Sequence, residues 1–166
     1  MTSPMTDAQQ GAHSPPTQVG PRSRSRRRRD TEDRLAHDVD AWVASAASGG
    51  AAHLIPLSFD WDGETLVVAT PADSPTGRNL RATRAVRLAL GHTRDVCMID
   101  GVAEVLEIDA LPDADADRFA ARSGFDPRDE RAPYLWFRIT PRRVQAWREA
   151  DELPGRELMR DGRWLD

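Results

Sequence analysis

The sequence predicts a mainly β chain of the α+β type, in which six antiparallel strands close into a small barrel with three helices at its margins. Two observations carry this. Short apolar runs recur between turn signals, notably Gly49-Gly50 and Asp62-Gly63, and most are linked by short hairpins. Six open strands would also leave apolar edges exposed, and closure removes them.

The elements follow in order. Residues 1–29 are rich in Ser, Pro, Gln, Thr and Gly and end in Arg22-Ser23-Arg24-Ser25-Arg26-Arg27-Arg28-Arg29. Such a segment cannot bury enough apolar area to order itself, so it is expected to be a disordered basic tail. The folded domain is expected over residues 30–166. Leu35, Val39, Trp42 and Val43 recur at helical spacing, which predicts a first helix ending near Trp42. Val43 to Ala47 then reads as the first strand. Ala51 to Phe59 is the second, and Thr65 to Thr70, beyond Asp62-Gly63, is the third. Pro75 to Ala82 is a short helix. Ala85 to Leu90 is the fourth strand and Arg94 to Glu107 the fifth, bent at Asp100-Gly101. Pro112 to Arg122 reads as a surface helix stopped by Gly124. Tyr134 to Trp147 is a long last strand, marked as an edge or bend by Thr140-Pro141. Leu153 to Trp164 shows turns and no clear period.

Composition narrows the function. The chain has 166 residues, enough for one domain with a core. All 23 basic residues are arginine, so a Schiff-base lysine is excluded. A single cysteine, Cys97, excludes an internal disulfide framework and any multi-cysteine metal site. No apolar run reaches membrane-spanning length, and no signal-peptide core follows Met1. A cytoplasmic setting is expected. Residues 1–29 hold six arginines against one acid, Asp7, whereas the remaining 17 arginines face 26 acids. The arginine run could touch nucleic acid through its phosphates, but a solvated tail is the plainer reading.

Ser74-Pro75-Thr76-Gly77-Arg78-Asn79-Leu80 is the most informative segment. It follows the buried run Thr65 to Thr70 and joins a helix N-cap, Ser74, to a proline at the first helical position. A helix start offers unpaired N–H groups and a positive dipole end, and Arg78 adds a planar fork that matches phosphate. The segment can therefore hold a cofactor phosphate; an ordinary capped helix would look similar. Trp136 and Trp147 lie near Arg138, Arg142, Arg143 and Arg148. Such a face could stack on a planar anionic ring, although tryptophans also pack cores. The histidines His13, His37, His53 and His92 share no metal spacing and read as structural. No catalytic triad, GxGxxG or P-loop pattern is present.

The ordered set of Asp40 to Ala44, Ala52 to Phe59 with Trp61-Asp62-Gly63, Ser74 to Leu80, Arg94 to Gly101 and Leu135 to Pro141 resembles the pyridoxamine 5′-phosphate oxidase-like proteins, the flavin and deazaflavin oxidoreductase superfamily. The resemblance runs from about Asp33 to Trp164 and implies a split β-barrel. It implies a homodimer with flavin at the interface and its phosphate held after the third strand, where Ser74, Thr76, Arg78 and Asn79 stand. Strand backbone around Pro56, Leu57 and the run Ala69, Thr70, Pro71 would line the ring; Trp136 is a further candidate contact from the aromatic and arginine face, not from the resemblance. Ala52 stands where the family often has proline, and Thr76 or Arg78 where it often has lysine; arginine keeps the phosphate chemistry. The implied activity is hydride transfer between the deazaflavin coenzyme F-420, or FMN, and a small organic substrate. Two alternatives stay open: a non-catalytic flavin or haem carrier of the same fold, and a nucleic-acid-associated protein acting through the arginine tail.

Overall fold

The computed structural model describes residues 20–166 of the chain. The first helix, α1 (Arg24–His37), is capped by Ser23, whose side chain accepts from the Arg26 amide. Strand β1 (Asp40–Ala46) leads to β2 (Ala52–Trp61), β3 (Leu66–Pro71), helix α2 (Pro75–Thr83), β4 (Ala85–Leu90) and β5 (Val96–Leu106). Helix α3 (Asp113–Ser123) precedes β6 (Tyr134–Trp147), and a hairpin of β7 (Glu157–Arg160) and β8 (Arg163–Trp164) ends the chain.

The strands are antiparallel and run β3-β2-β1-β4-β5-β6-β7-β8, and an added pairing of β3 with β6 closes the first six of them into a barrel. This is the expected six-stranded split barrel with marginal helices. Strand β6 makes closure possible because it is long. Its first half pairs with β3 from Tyr134 to Ile139, while Val144 and Gln145 pair with β7. The register with β5 shifts between Asp100 and Gly101, opposite Pro141. Proline cannot donate to the ladder, and a Cβ on Gly101 would lie 2.6 Å from Ile139 Cγ2. The bulge and the small residue answer the same crowding.

Val43, Phe59, Leu66, Val68, Leu88, Ile99, Phe137 and Ile139 fill the barrel. A second cluster, with Val67, Ala69, Phe119 and Trp136 at its heart, lies between α3 and the other face of β3 and β6. This explains why Leu66 to Thr70 reads as a continuous apolar run: both of its faces are covered, so no alternation survives. Arg122 of α3 donates to the carbonyls of Leu35 (2.7 Å) and Asp38 (2.5 Å), a cation closing the C-terminal end of α1.

Two expectations are corrected at the N-terminal side. The first helix ends at His37, not near Trp42, and Trp42 lies in β1. Here the alternation Ala41, Val43, Ser45 buried against Asp40, Trp42 exposed decides for a strand, whose period of two outweighs the helical spacing. The arginine run is also not a tail. Arg24 to Arg29 form the first turns of α1, and Arg22 is folded into the molecule. The Arg22 and Glu152 side chains are 8% and 3% exposed. Arg22 Nε donates to Glu152 Oε1 at 2.9 Å and Nη2 to Oε2 at 2.8 Å, while the Arg22 and Arg148 amides donate to the same carboxylate. Asp30 takes Arg22 Nη1 at 2.8 Å. Arg26 and Arg28 pair along the helix with Asp30 and Glu32, and Arg27 is buried against the Glu152 carbonyl. The expected domain start at Asp30 thus falls inside a helix. Residues 1–19 of the expected tail lie outside the described residues. The C-terminal stretch without clear period forms β7 and β8, too short for periodicity to show.

Candidate functional site

The segment from β3 into α2 folds as its chemistry dictates. Ser74 is the N-cap, its Oγ accepting from the Gly77 amide at 2.9 Å and lying 3.0 Å from Thr70 Oγ1. Gly77 is buried in the first turn, where an added Cβ would lie 2.4 Å from the Pro71 carbonyl oxygen and 2.9 Å from that of Ala72. Only glycine lets the helix start come this close to the end of β3. The helix closes with Arg84 in a left-handed conformation (φ 60°), its amide returning to the Leu80 carbonyl.

The expected phosphate residues divide into two groups. Asn79 is buried and donates through Nδ2 to Ser45 Oγ at 3.1 Å, tying α2 to β1. Thr76 is fully buried, and its hydroxyl has no hydrogen-bond partner among the described residues. Ser74 is engaged in the cap. Arg78, in contrast, is exposed, and its guanidinium turns back to donate to the Asp73 carbonyl. Arg81, one helical turn on, donates to the Ala72 carbonyl at 3.0 Å. Two guanidinium groups therefore lie over the same β3–α2 turn, each with donors to spare. Arg81 was missed by sequence reasoning, although its spacing of three from Arg78 was a readable signal.

The expected ring-lining residues come together. Pro56, Leu57, Ala69, Thr70 and Pro71 share the wall of a pocket of about 350 Å³ with Asp40, Ser58, Phe119, Phe125 and Tyr134. The pocket lies where β2 and β3 diverge at the barrel's split, under the C-terminal part of α3. Ser58 Oγ donates to Asp40 Oδ1 at 2.7 Å on its rim. Phe125 and Tyr134 meet with ring centroids 5.6 Å apart. These five added wall residues have no motif of their own; tertiary folding alone brings them to the pocket.

Trp136 is a correction. It is 0% exposed, its Nε1 donates to the Ile108 carbonyl at 3.1 Å, and Phe119 meets its ring edge-on at 5.0 Å. It has no face left to stack on a ligand. The histidines of the described region form no metal group: no cluster of three metal-ligating side chains occurs among the described residues. Burial pushes the Cys97 thiol up to about 12, so it is neutral and unreactive in the folded chain.

The outer face of β2-β1-β4-β5 carries exposed apolar side chains beside the Arg87–Asp100 ion pair. Leu54 and Trp42 are 58% and 51% exposed and, with Ala44, Ala89 and Met98, border an open cleft of about 290 Å³. The run Leu54 to Leu57 contains no buried residue although it lies in a strand. Among the described residues no helix is long and apolar enough to cross a membrane.

Known proteins agree with this architecture. An F-420 reductase has 18% identity over 68% of this chain and 94% of its own, with a TM-score of 0.58. A conserved hypothetical protein from Mycobacterium tuberculosis has 21% identity, covering 74% of this chain and 85% of its own, with a TM-score of 0.59. A proposed pyridoxamine 5′-phosphate oxidase from Listeria innocua has 17% identity, covering 74% and 98%, with a TM-score of 0.57. At these identities the likeness is one of fold. No curated protein matches the sequence. The sequence pattern of pyridoxamine 5′-phosphate oxidase, however, matches residues 31–148, from within α1 to the end of β6. With the closed six-stranded barrel and the capped helix after β3, the match shows that the chain belongs to the pyridoxamine 5′-phosphate oxidase family.

Proposed function

We propose that this protein is an oxidoreductase that binds the deazaflavin coenzyme F-420, with FMN as the alternative, and moves a hydride between it and a small organic substrate. The observation that carries the reading is the convergence of Pro56, Leu57, Ala69, Thr70 and Pro71 on one pocket beside a turn covered by two arginines. The residues suit a phosphorylated planar cofactor. Arg78 and Arg81 supply two forks for its phosphate. Thr76, fully buried and not part of the pocket wall, is assigned no contact. Ser74 and Asn79 act as positioning residues, one capping α2 and the other fastening it to β1.

A bound flavin or deazaflavin supplies the hydride chemistry itself. The chain's part is to bind and orient. The walls of β2 and β3 limit how a planar ring can lie and exclude water from one of its faces. No histidine lines the pocket, and no acid–base residue is assigned.

A homodimer completes this reading. The uncovered apolar face around Trp42 and Leu54 borders the same strands, β1 and β2, that carry Asp40, Pro56 and Leu57. A second chain there would cover apolar area at about 25 cal/mol per Å² and close the open side of the pocket. The arginine run speaks against the nucleic-acid alternative, since Arg22, Arg26, Arg27 and Arg28 are committed to internal partners.

The test is mass spectrometry of the small molecule that copurifies with the protein, together with its visible spectrum. F-420 or FMN, bleached on reduction, is expected. Haem, or a protein that binds neither added cofactor, would overturn the reading.

A further inference from the structure

A second basic site lies away from the β3–α2 turn, between the start of α1 and the β6–β7 edge. A cleft of about 250 Å³ there is lined by four arginines, Arg24, Arg143, Arg156 and Arg160, with Gln145 and Glu157 among them. Glu157 is the one acid in the lining.

The internal bonds of these arginines fix them in place without using them up. Arg143 Nε donates to Glu157 Oε1 at 2.7 Å, and Arg160 Nε to Glu157 Oε2 at 2.9 Å. With its amide oxygen turned toward the arginines, buried Gln145 accepts from Arg143 Nη2 at 3.2 Å and Arg156 Nε at 3.1 Å. Arg156 Nη1 also donates to the Leu153 carbonyl at 3.2 Å, and its guanidinium lies over the Trp147 ring at 5.9 Å. Arg24 Nη1 donates to a main-chain oxygen of Asp166, an acid residue. Five nitrogens are left without a hydrogen-bond partner among the described residues: Arg24 Nε, which is buried, and Arg24 Nη2, Arg143 Nη1, Arg156 Nη2 and Arg160 Nη1.

We infer that this cleft binds a phosphate-bearing small molecule through a tetrahedral, multiply charged headgroup. Four guanidinium groups face Glu157 and, at Arg24, Asp166, and the excess cations repel one another unless an anion joins them. A buried Nε without a partner is a vacant donor of the kind that folded proteins seldom leave. Forks from α1, β6 and β7 reach the cleft from different elements, which suits a tetrahedral phosphate better than a flat carboxylate. The volume admits a phosphate or pyrophosphate group with room beside it. Because α1 and β7 both contribute, a bound ligand would also cross-link the two ends of the described chain.

Calorimetric titration of the full chain with inorganic pyrophosphate tests this, with sulfate as the control. Saturable binding that depends on this cleft's arginines is expected, with sulfate at least about tenfold weaker. The double variant Arg156→Gln/Arg160→Gln should weaken pyrophosphate binding by about tenfold or more, the loss of one or two charge-assisted bonds. Arg160→Gln alone, at a side chain 64% exposed, should fold normally and show part of the loss. The Arg78→Ala/Arg81→Ala variant, which tests the cofactor site, should keep the saturable binding that Arg156→Gln/Arg160→Gln weakens. The inference is overturned if no saturable site appears, if sulfate binds as tightly, or if the Arg78 and Arg81 changes remove binding while those at Arg156 and Arg160 do not.

Discussion

Arg78 and Arg81 matter at the scale of single residues because they are the cations at the β3–α2 turn whose guanidinium groups bond only to backbone carbonyls. Arg78→Ala should weaken cofactor binding by roughly 1.5–3 kcal/mol, the range for a hydrogen bond to a charged group, and should leave the melting temperature almost unchanged. A fluorescence titration reads the first quantity and a thermal melt the second. Trp136 should behave in the opposite way. Trp136→Ala removes a fully buried ring and its bond to the Ile108 carbonyl, so it should cost about 3–5 kcal/mol of stability. Denaturant unfolding measures that loss. Arg78 was legible in the sequence because its position in the first turn of a capped helix is a local fact. Trp136 was not, because whether a tryptophan on a strand packs inward or lines a site depends on what covers it. Here α3 covers it, through Phe119, and the strand's own pattern does not encode the arrival of that helix.

Among the elements, α1 and α2 carry the clearest consequences. Gly77→Ala would press a methyl group against the Pro71 and Ala72 carbonyl oxygens and push the helix start off the end of β3. It should cost about 1–3 kcal/mol, as overpacking does, and loosen cofactor binding as well. Differential scanning calorimetry beside a cofactor titration separates the two effects. In α1 the decisive contact is remote. The bond from Arg22 holds the Glu152 carboxyl down at about 2, against an ordinary 4.5. Folding therefore favours the ionised carboxylate. The stability it contributes is complete above about pH 5 and is lost as pH falls from 4.5 toward 2. Melting temperature measured across that window should fall more steeply for the native chain than for Glu152→Gln, which begins less stable. A chain starting at Asp30 loses Arg22 and leaves Glu152 buried without its partner, which should cost about 3–5 kcal/mol. Arg22 reads as part of a solvated tail because two of its partners, Asp95 and Glu152, lie far along the chain; the i,i+4 pairs Arg26–Asp30 and Arg28–Glu32 were local and readable. Strands β2 to β6, in contrast, were legible to within two residues at each end, and β4 and β6 to the residue, since turns and apolar runs bracket them locally.

For the whole molecule, the barrel and its family were readable because closure follows from strand count and edge protection, and the motif order spans most of the domain. The pocket was readable only in part. Its β2 and β3 wall came from contiguous residues, Pro56-Leu57 and Ala69-Thr70-Pro71, whereas Asp40, Phe119, Phe125 and Tyr134 reach it from four separate segments. The apolar face around Trp42 and Leu54 belongs to this scale too. Sedimentation at micromolar concentration should show a dimer, and Trp42→Glu should shift it to monomer while weakening cofactor binding, because a charge on that face cannot be buried without a partner. The central claim is that the pocket beside the β3–α2 turn holds a flavin-type cofactor by its phosphate. Fluorescence titration of the native chain and of Arg78→Ala/Arg81→Ala with F-420 and with FMN tests it most directly. Saturable binding of one cofactor by the native chain, weakened about tenfold or more in the folded variant, is the expected result; no binding of either, or equal affinity in both chains, would contradict the account.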